Sequence, residues 1–99
     1  MNIPVHLDDE RVARFCRDHH VVRLSLFGSV LTSRFSPLSD VDVLVEFEAG
    51  KEPSLFGMSQ MERELSEIVG RQVDLRTPED LSPYFREKVV AGAERVYAS

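Results

Sequence analysis

The sequence is short of cysteine, of lysine and of long apolar runs, and each shortage closes off a class of protein. Its single cysteine, Cys16, excludes an internal disulfide framework and suits a reducing compartment. No segment approaches the roughly 18 apolar residues needed to span a bilayer, and no N-terminal apolar run has the form of a secretion signal. The expected setting is therefore the cytoplasm, away from membranes. Lysine occurs only as Lys51 and Lys88, and 17 acids outnumber 12 bases to give a net charge of −5. A duplex-binding module would present a basic stripe to neutralise phosphates, so no stable nucleic-acid binding is expected. The excess of acid suits a different task, the holding of metal cations.

What is present is one small domain's worth of chain, expected to run over residues 1–99. An apolar fraction of 42% against 29% charged is that of an ordinary soluble fold, but the core such a length can bury is modest. Association with a partner is a natural expectation.

Periodicity gives the elements. A helix is predicted from about Asp8 to His19, with Asp8 as N-cap, Leu7 and Val12 as a hydrophobic staple, and Val12, Phe15, Cys16 and His19 on one face. A strand follows at 21–27, with Val22, Leu24 and Leu26 toward a core and Arg23 and Ser25 away from it. Ser29 to about Arg34 suggests a short helix, and Pro37 forces a loop. Val41 to Phe47 is the clearest strand, with Val41, Val43, Val45 and Phe47 alternating with Asp42, Leu44 and Glu46. Ser54 caps a helix whose expected stripe is Leu55, Met58, Met61, Leu65 and Ile68, ended by Gly70. Gln72 to Arg76 alternates as a strand. Thr77-Pro78 and Ser82-Pro83 each resemble an N-cap with proline at the first helical position, and helix is expected to about Ala91 with Gly92 as its stop. Glu94 to Ala98 suggests an edge strand. The order implies an α/β fold, a small mixed β-sheet with helices on one face and polar alternates on the other.

Three features converge on that polar face. Gly28-Ser29 sits at the end of one strand and the start of a helix, where glycine lets backbone approach a ligand closely and the helix N-terminus offers N–H groups, as suits a phosphate. Asp40 and Asp42 are two residues apart, so strand geometry puts both carboxylates on one side, roughly 6.6 Å apart along the chain. Their repulsion becomes an advantage when a divalent cation sits between them. Asp74 falls on the same face of the third strand, where it could complete a metal site or take a proton from an attacking hydroxyl. The plainer alternative is that Ser39 and Asp40 cap loop amides, that Gly28 is an ordinary turn and that Asp74 is simply solvated.

Gly28-Ser29, a ten-residue spacer and Asp40-Val41-Asp42 together resemble the signature of the DNA polymerase beta-type nucleotidyltransferase superfamily. Leu26 to Leu31 and Ser39 to Phe47 resemble its minimal nucleotidyltransferase branch, and Gly70 to Leu75 followed by Thr77-Pro78-Glu79 resembles that branch's third-aspartate strand. The resemblance covers about residues 20–97. It implies that Gly28 and Ser29 touch a triphosphate, that Asp40 and Asp42 bind nucleotide and metal, and that Asp74 completes a catalytic triad around two Mg²⁺ ions. It further implies an antitoxin that transfers AMP from ATP to a tyrosine hydroxyl of a partner HEPN-type toxin. Where many members carry Arg-Gly in the spacer, this chain has Thr32-Ser33, with Arg34 as a candidate replacement cation. Two other outcomes stay open: an antitoxin acting by binding alone, or transfer to a small molecule, which the lack of a second domain disfavours. His19-His20 as metal ligands, Met58 and Met61 as core or partner surface, and Tyr84-Phe85 as a docking patch are weaker candidates, solvation or packing being the simpler reading of each.

Overall fold

In the computed structural model, which describes residues 5–99, helix α1 (Asp9–Asp18) leads into β1 (Val21–Phe27) and a 3-10 turn (Gly28–Leu31). Then come β2 (Val41–Phe47), α2 (Leu55–Val69), β3 (Val73–Arg76), a second 3-10 turn (Pro78–Asp80), α3 (Arg86–Gly92) and β4 (Glu94–Ala98). The sheet runs β3-β2-β1-β4, with β2 and β3 parallel and the other pairs antiparallel. The mixed α/β architecture is as expected, and β4 is indeed an edge strand. Among the described residues no helix is long and apolar enough to cross a membrane.

One face of the sheet makes the core. Leu24 and Leu26 of β1, Val41, Val43 and Val45 of β2, and Val73 and Leu75 of β3 pack under Val12, Phe15 and Cys16 of α1 and Met61, Leu65 and Val69 of α2. Val30 joins this cluster and so anchors the 3-10 turn after β1. The caps act as the sequence requires. Asp8 accepts from the backbone N–H of Glu10 and Arg11, Ser54 accepts from that of Gly57, and Gly70 closes α2 at φ +78°. Burial pushes the Cys16 thiol up to about 12 against the opposing charge of Arg17, so this cysteine is packing, not a nucleophile.

Four expectations need correction. A bulge between Val21 and Arg23 shifts the register, so Val21 is buried and Val22 only half-buried. Leu55 is not part of the helical stripe: it is 88% exposed because nothing packs over the first turn of α2, and Val69 is buried at the other end. The helix expected from Ser29 to Arg34 is a single 3-10 turn, since Thr32 is extended at ψ 168° and closes back on Ser29. Continuous helix does not run from either proline, because Leu81 is extended and residues 83–85 form a turn. The Arg86 guanidinium instead ties the Pro78–Asp80 turn together, donating to the carbonyls of Pro78, Glu79 and Leu81.

The second face is only partly covered. The Pro78–Asp80 turn packs on β2, and Val90 of α3 lines a cleft with Arg23 and Ser25 of β1. Ser25 and Leu44, which alternation places on this face, are therefore buried although they lie outside the main core. The two long helices cover the core face, and the remainder of the second face is left for the acids.

Candidate active site

The site begins where β1 ends. Phe27 is paired with Asp42, and the next residue, Gly28, turns the chain at φ +76°. A Cβ added to Gly28 would collide with Asp42 Oδ2. Both the backbone angle and the approach of the carboxylate thus require glycine. Ser29 is half-buried, and its carbonyl accepts from both the N–H of Thr32 and Thr32 Oγ1 at 2.9 Å. Thr32 Oγ1 in turn accepts from the N–H of Arg34 at 3.2 Å. The Thr32-Ser33 segment is consequently a closed turn held by its own hydroxyl. Arg34 is exposed, and among the described residues its side chain pairs with no carboxylate, so solvation describes it best.

The parallel pairing of β2 and β3 brings Asp42 opposite Asp74 in register, where neighbouring strands lie about 4.8 Å apart. Asp42 is half-buried beneath the glycine turn. Its carboxyl is pushed above the usual value, first by desolvation, then by the charge of Asp74 and lastly by that of Asp40, with Arg76 acting the other way. Asp40 is exposed at the end of the loop that feeds β2. Asp74 and Asp40 thus both bear on the Asp42 carboxyl.

Sequence reasoning misses the groups that hold these acids. Arg76 Nη2 donates to Asp74 Oδ2 at 3.1 Å, a cation facing the acids from the same strand face. The amides on either side of Asp74 bond to α2: Val73 N–H to Ser66 Oγ at 2.9 Å and Leu75 N–H to Glu62 Oε2 at 2.7 Å. These two bonds also satisfy the outer edge of β3, which would otherwise be open for strand pairing. Arg76 could have been suspected from its period-two spacing to Asp74. Glu62 and Ser66 could not, since their role depends on how α2 lies along the sheet.

Among the described residues no three His, Cys, Asp or Glu side chains already enclose a position for a metal ion. Mg²⁺ does not need such a cage. It keeps waters and is held by one or two carboxylates together with substrate phosphates. Hard oxygen donors, a carboxyl strained by its acidic neighbours and a glycine that leaves its approach clear fit that mode of binding.

The weaker candidates are placed elsewhere. His19 Nε2 pairs with Glu64 at 3.1 Å and His20 Nδ1 with Glu48 at 3.0 Å, so the adjacent rings diverge and form no joint metal site. Met61 is core and Met58 packs at its margin. Tyr84 and Phe85 are exposed.

The polar sheet face thus carries in-register carboxylates beside a turn that requires glycine. The chain belongs to the nucleotidyltransferase domain family, which it matches over residues 9–96, and within it to the minimal nucleotidyltransferases. It is 36% identical over 72 residues to a Methanocaldococcus jannaschii protein named as a protein adenylyltransferase, covering 73% of this chain and 75% of that one. A solved structure described as a minimal nucleotidyltransferase is 34% identical and superimposes with a TM-score of 0.70, over 86% of this chain and 85% of its own. The fold is shared also with a chain from the complex of a tri-AMPylated Shewanella oneidensis HEPN toxin with its MNT antitoxin, at a TM-score of 0.63 and 19% identity, over 92% and 70% of the two chains.

Proposed function

We propose that this protein is an antitoxin that transfers AMP from Mg²⁺-bound ATP to a tyrosine hydroxyl of a partner HEPN-type toxin. The observation that carries the reading is the register of Asp42 with Asp74 beneath a turn that only glycine can make. The names borne by the similar proteins support the direction of the chemistry: a protein adenylyltransferase, and an AMPylated toxin bound to its antitoxin. The open face leaves room for a protein partner that brings its own hydroxyl.

In this reading Gly28 and Ser29 seat the triphosphate, while Asp40, Asp42 and Asp74 hold two Mg²⁺ ions. Bound Mg²⁺ supplies the positive charge that balances the triphosphate and the departing pyrophosphate. The acceptor oxygen attacks the α-phosphorus, the bond from that phosphorus to the bridging oxygen breaks, and pyrophosphate leaves. Asp74 receives the acceptor's proton. Arg76, already on Asp74, limits how much negative charge that strand face accumulates before nucleotide arrives.

The test is co-expression with the product of the adjacent reading frame, followed by the partner's intact mass. A gain of one or more adenylates that is lost with Asp42→Asn supports transfer. A stable complex with no gain in mass removes it in favour of neutralisation by binding alone. One observation favours that second reading: Thr32-Ser33 replaces Arg-Gly, and Arg34 places no charge at the site.

A further inference from the structure

Asp40 is the member of the acid group that lies in no helix or strand. It ends the largely exposed stretch 32–40, in which only Phe35 and Ser39 are half-buried. A carboxylate on such a loop would sample many positions, and ordering it on ligand binding would weaken that binding. The structure supplies a restraint from another part of the chain. Arg71, between α2 and β3, donates through Nη2 to the carbonyl of Ser36 at 2.7 Å and to that of Ser39 at 2.9 Å. Its guanidinium carbon also sits 4.4 Å from the centre of the Phe35 ring. Ser36 and Ser39 close a tight turn between themselves, the N–H of Ser36 donating to Ser39 Oγ and the N–H of Ser39 to the Ser36 carbonyl.

The bond to Ser39 is made to the peptide whose nitrogen belongs to Asp40. The next peptide is held as well, since the N–H of Val41 donates to the carbonyl of Gln72 at 2.9 Å. Consecutive residues just before β3, Arg71 and Gln72, thus grip the backbone on both sides of Asp40. We propose that Arg71 is the positioning residue for Asp40: it locks the loop onto the strand that carries Asp74, so that the two carboxylates are set relative to each other before any ligand binds. The proposal rests on the reading above only in taking Asp40 as a metal ligand. One nitrogen donates to both carbonyls while the flat guanidinium stacks on a ring, and it is the stacking that a lysine ammonium does not reproduce.

The experiment uses the full chain without nucleotide, with Mn²⁺ as the probe and electron paramagnetic resonance as the binding readout. Amide hydrogen exchange at Ser39 and Val41, whose N–H groups bond to the carbonyls of Ser36 and Gln72, is followed on the metal-free protein. Arg71→Ala should weaken Mn²⁺ binding about tenfold, the scale on which groups that orient metal ligands act, and should speed exchange at Ser39 and Val41. Arg71→Lys should recover less than half of the loss. Unchanged Mn²⁺ affinity in a folded Arg71→Ala, alongside weakened binding in Asp40→Asn, would overturn the positioning role while sparing the site. Full affinity in Asp40→Asn would instead overturn Asp40 as a ligand, and the positioning claim with it. If Arg71→Ala does not fold, Phe35→Leu removes the stacked ring alone; it should shift both readouts the same way by less, and no shift would count against the proposal.

Discussion

Strand β2 has two faces that do opposite work. On one, Val41, Val43 and Val45 are sealed under the two long helices, each at most 1% exposed. On the other, Asp42 faces Asp74, and burial and like-charged neighbours disfavour its charged form. A buried apolar side chain of this size stabilises a fold by about 1.5–3 kcal/mol, whereas the acid face works against the metal-free protein. The comparison teaches that the valines make the acid arrangement possible: the strand is held by one face so that the other can carry like charges side by side.

The largest expected effect breaks the acid face alone. Asp42→Asn should cut nucleotide transfer by about a thousandfold, equal to about 4 kcal/mol at the transition state, and leave the circular dichroism spectrum unchanged. Steady-state transfer to the purified partner measures it. Breaking the other face comes next. Leu65→Ala opens the core beneath α2 and should lower the unfolding free energy by about 2–5 kcal/mol, as read from urea denaturation. Any protein that remains folded should keep its metal affinity.

Smaller effects sharpen the boundary between the faces. Gly28→Ala forces a side chain into a positive φ and into Asp42 Oδ2. Strain of this kind costs about 1–3 kcal/mol, so Tm should fall and Mg²⁺–ATP binding should weaken together. The smallest effect concerns protons. The Asp42 carboxyl is raised above its ordinary 3.8, mainly by burial and then by Asp74. The native state therefore binds that proton more tightly than the unfolded chain does. The resulting stability is present below 3.8 and is lost as pH rises through the raised value. Asp42→Asn should accordingly raise the Tm of the metal-free protein at neutral pH, and the gain should close as pH falls toward 3.8 in scanning calorimetry.

Much of this was legible because it is local. Period-two alternation gives β2 and puts Asp42 opposite its valines, and Asp8, Ser54 and Gly70 mark helix ends through chemistry confined to one turn. The burial of Val21 rather than Val22 was not legible, since a bulge depends on the partner strand. Leu55 has the spacing of a core residue, yet no other element reaches it. The fates of Thr77-Pro78 and Ser82-Pro83 turn on a guanidinium several residues downstream that binds the intervening carbonyls. At the site the split is the same. Gly28, Asp42 and Asp74 could be found from spacing, but the grips of Arg71, Glu62 and Ser66 on the backbone beside the acids arise only from tertiary packing.

The central claim, that the acid face is a metal–nucleotide site, is tested most directly by the thermal shift of the purified chain with Mg²⁺–ATP. The account predicts a rise in Tm with Mg²⁺–ATP, a much smaller one with ATP in chelator, and none for Asp42→Asn. An equal rise in Asp42→Asn, or no rise in the unaltered protein at saturating nucleotide, would contradict it.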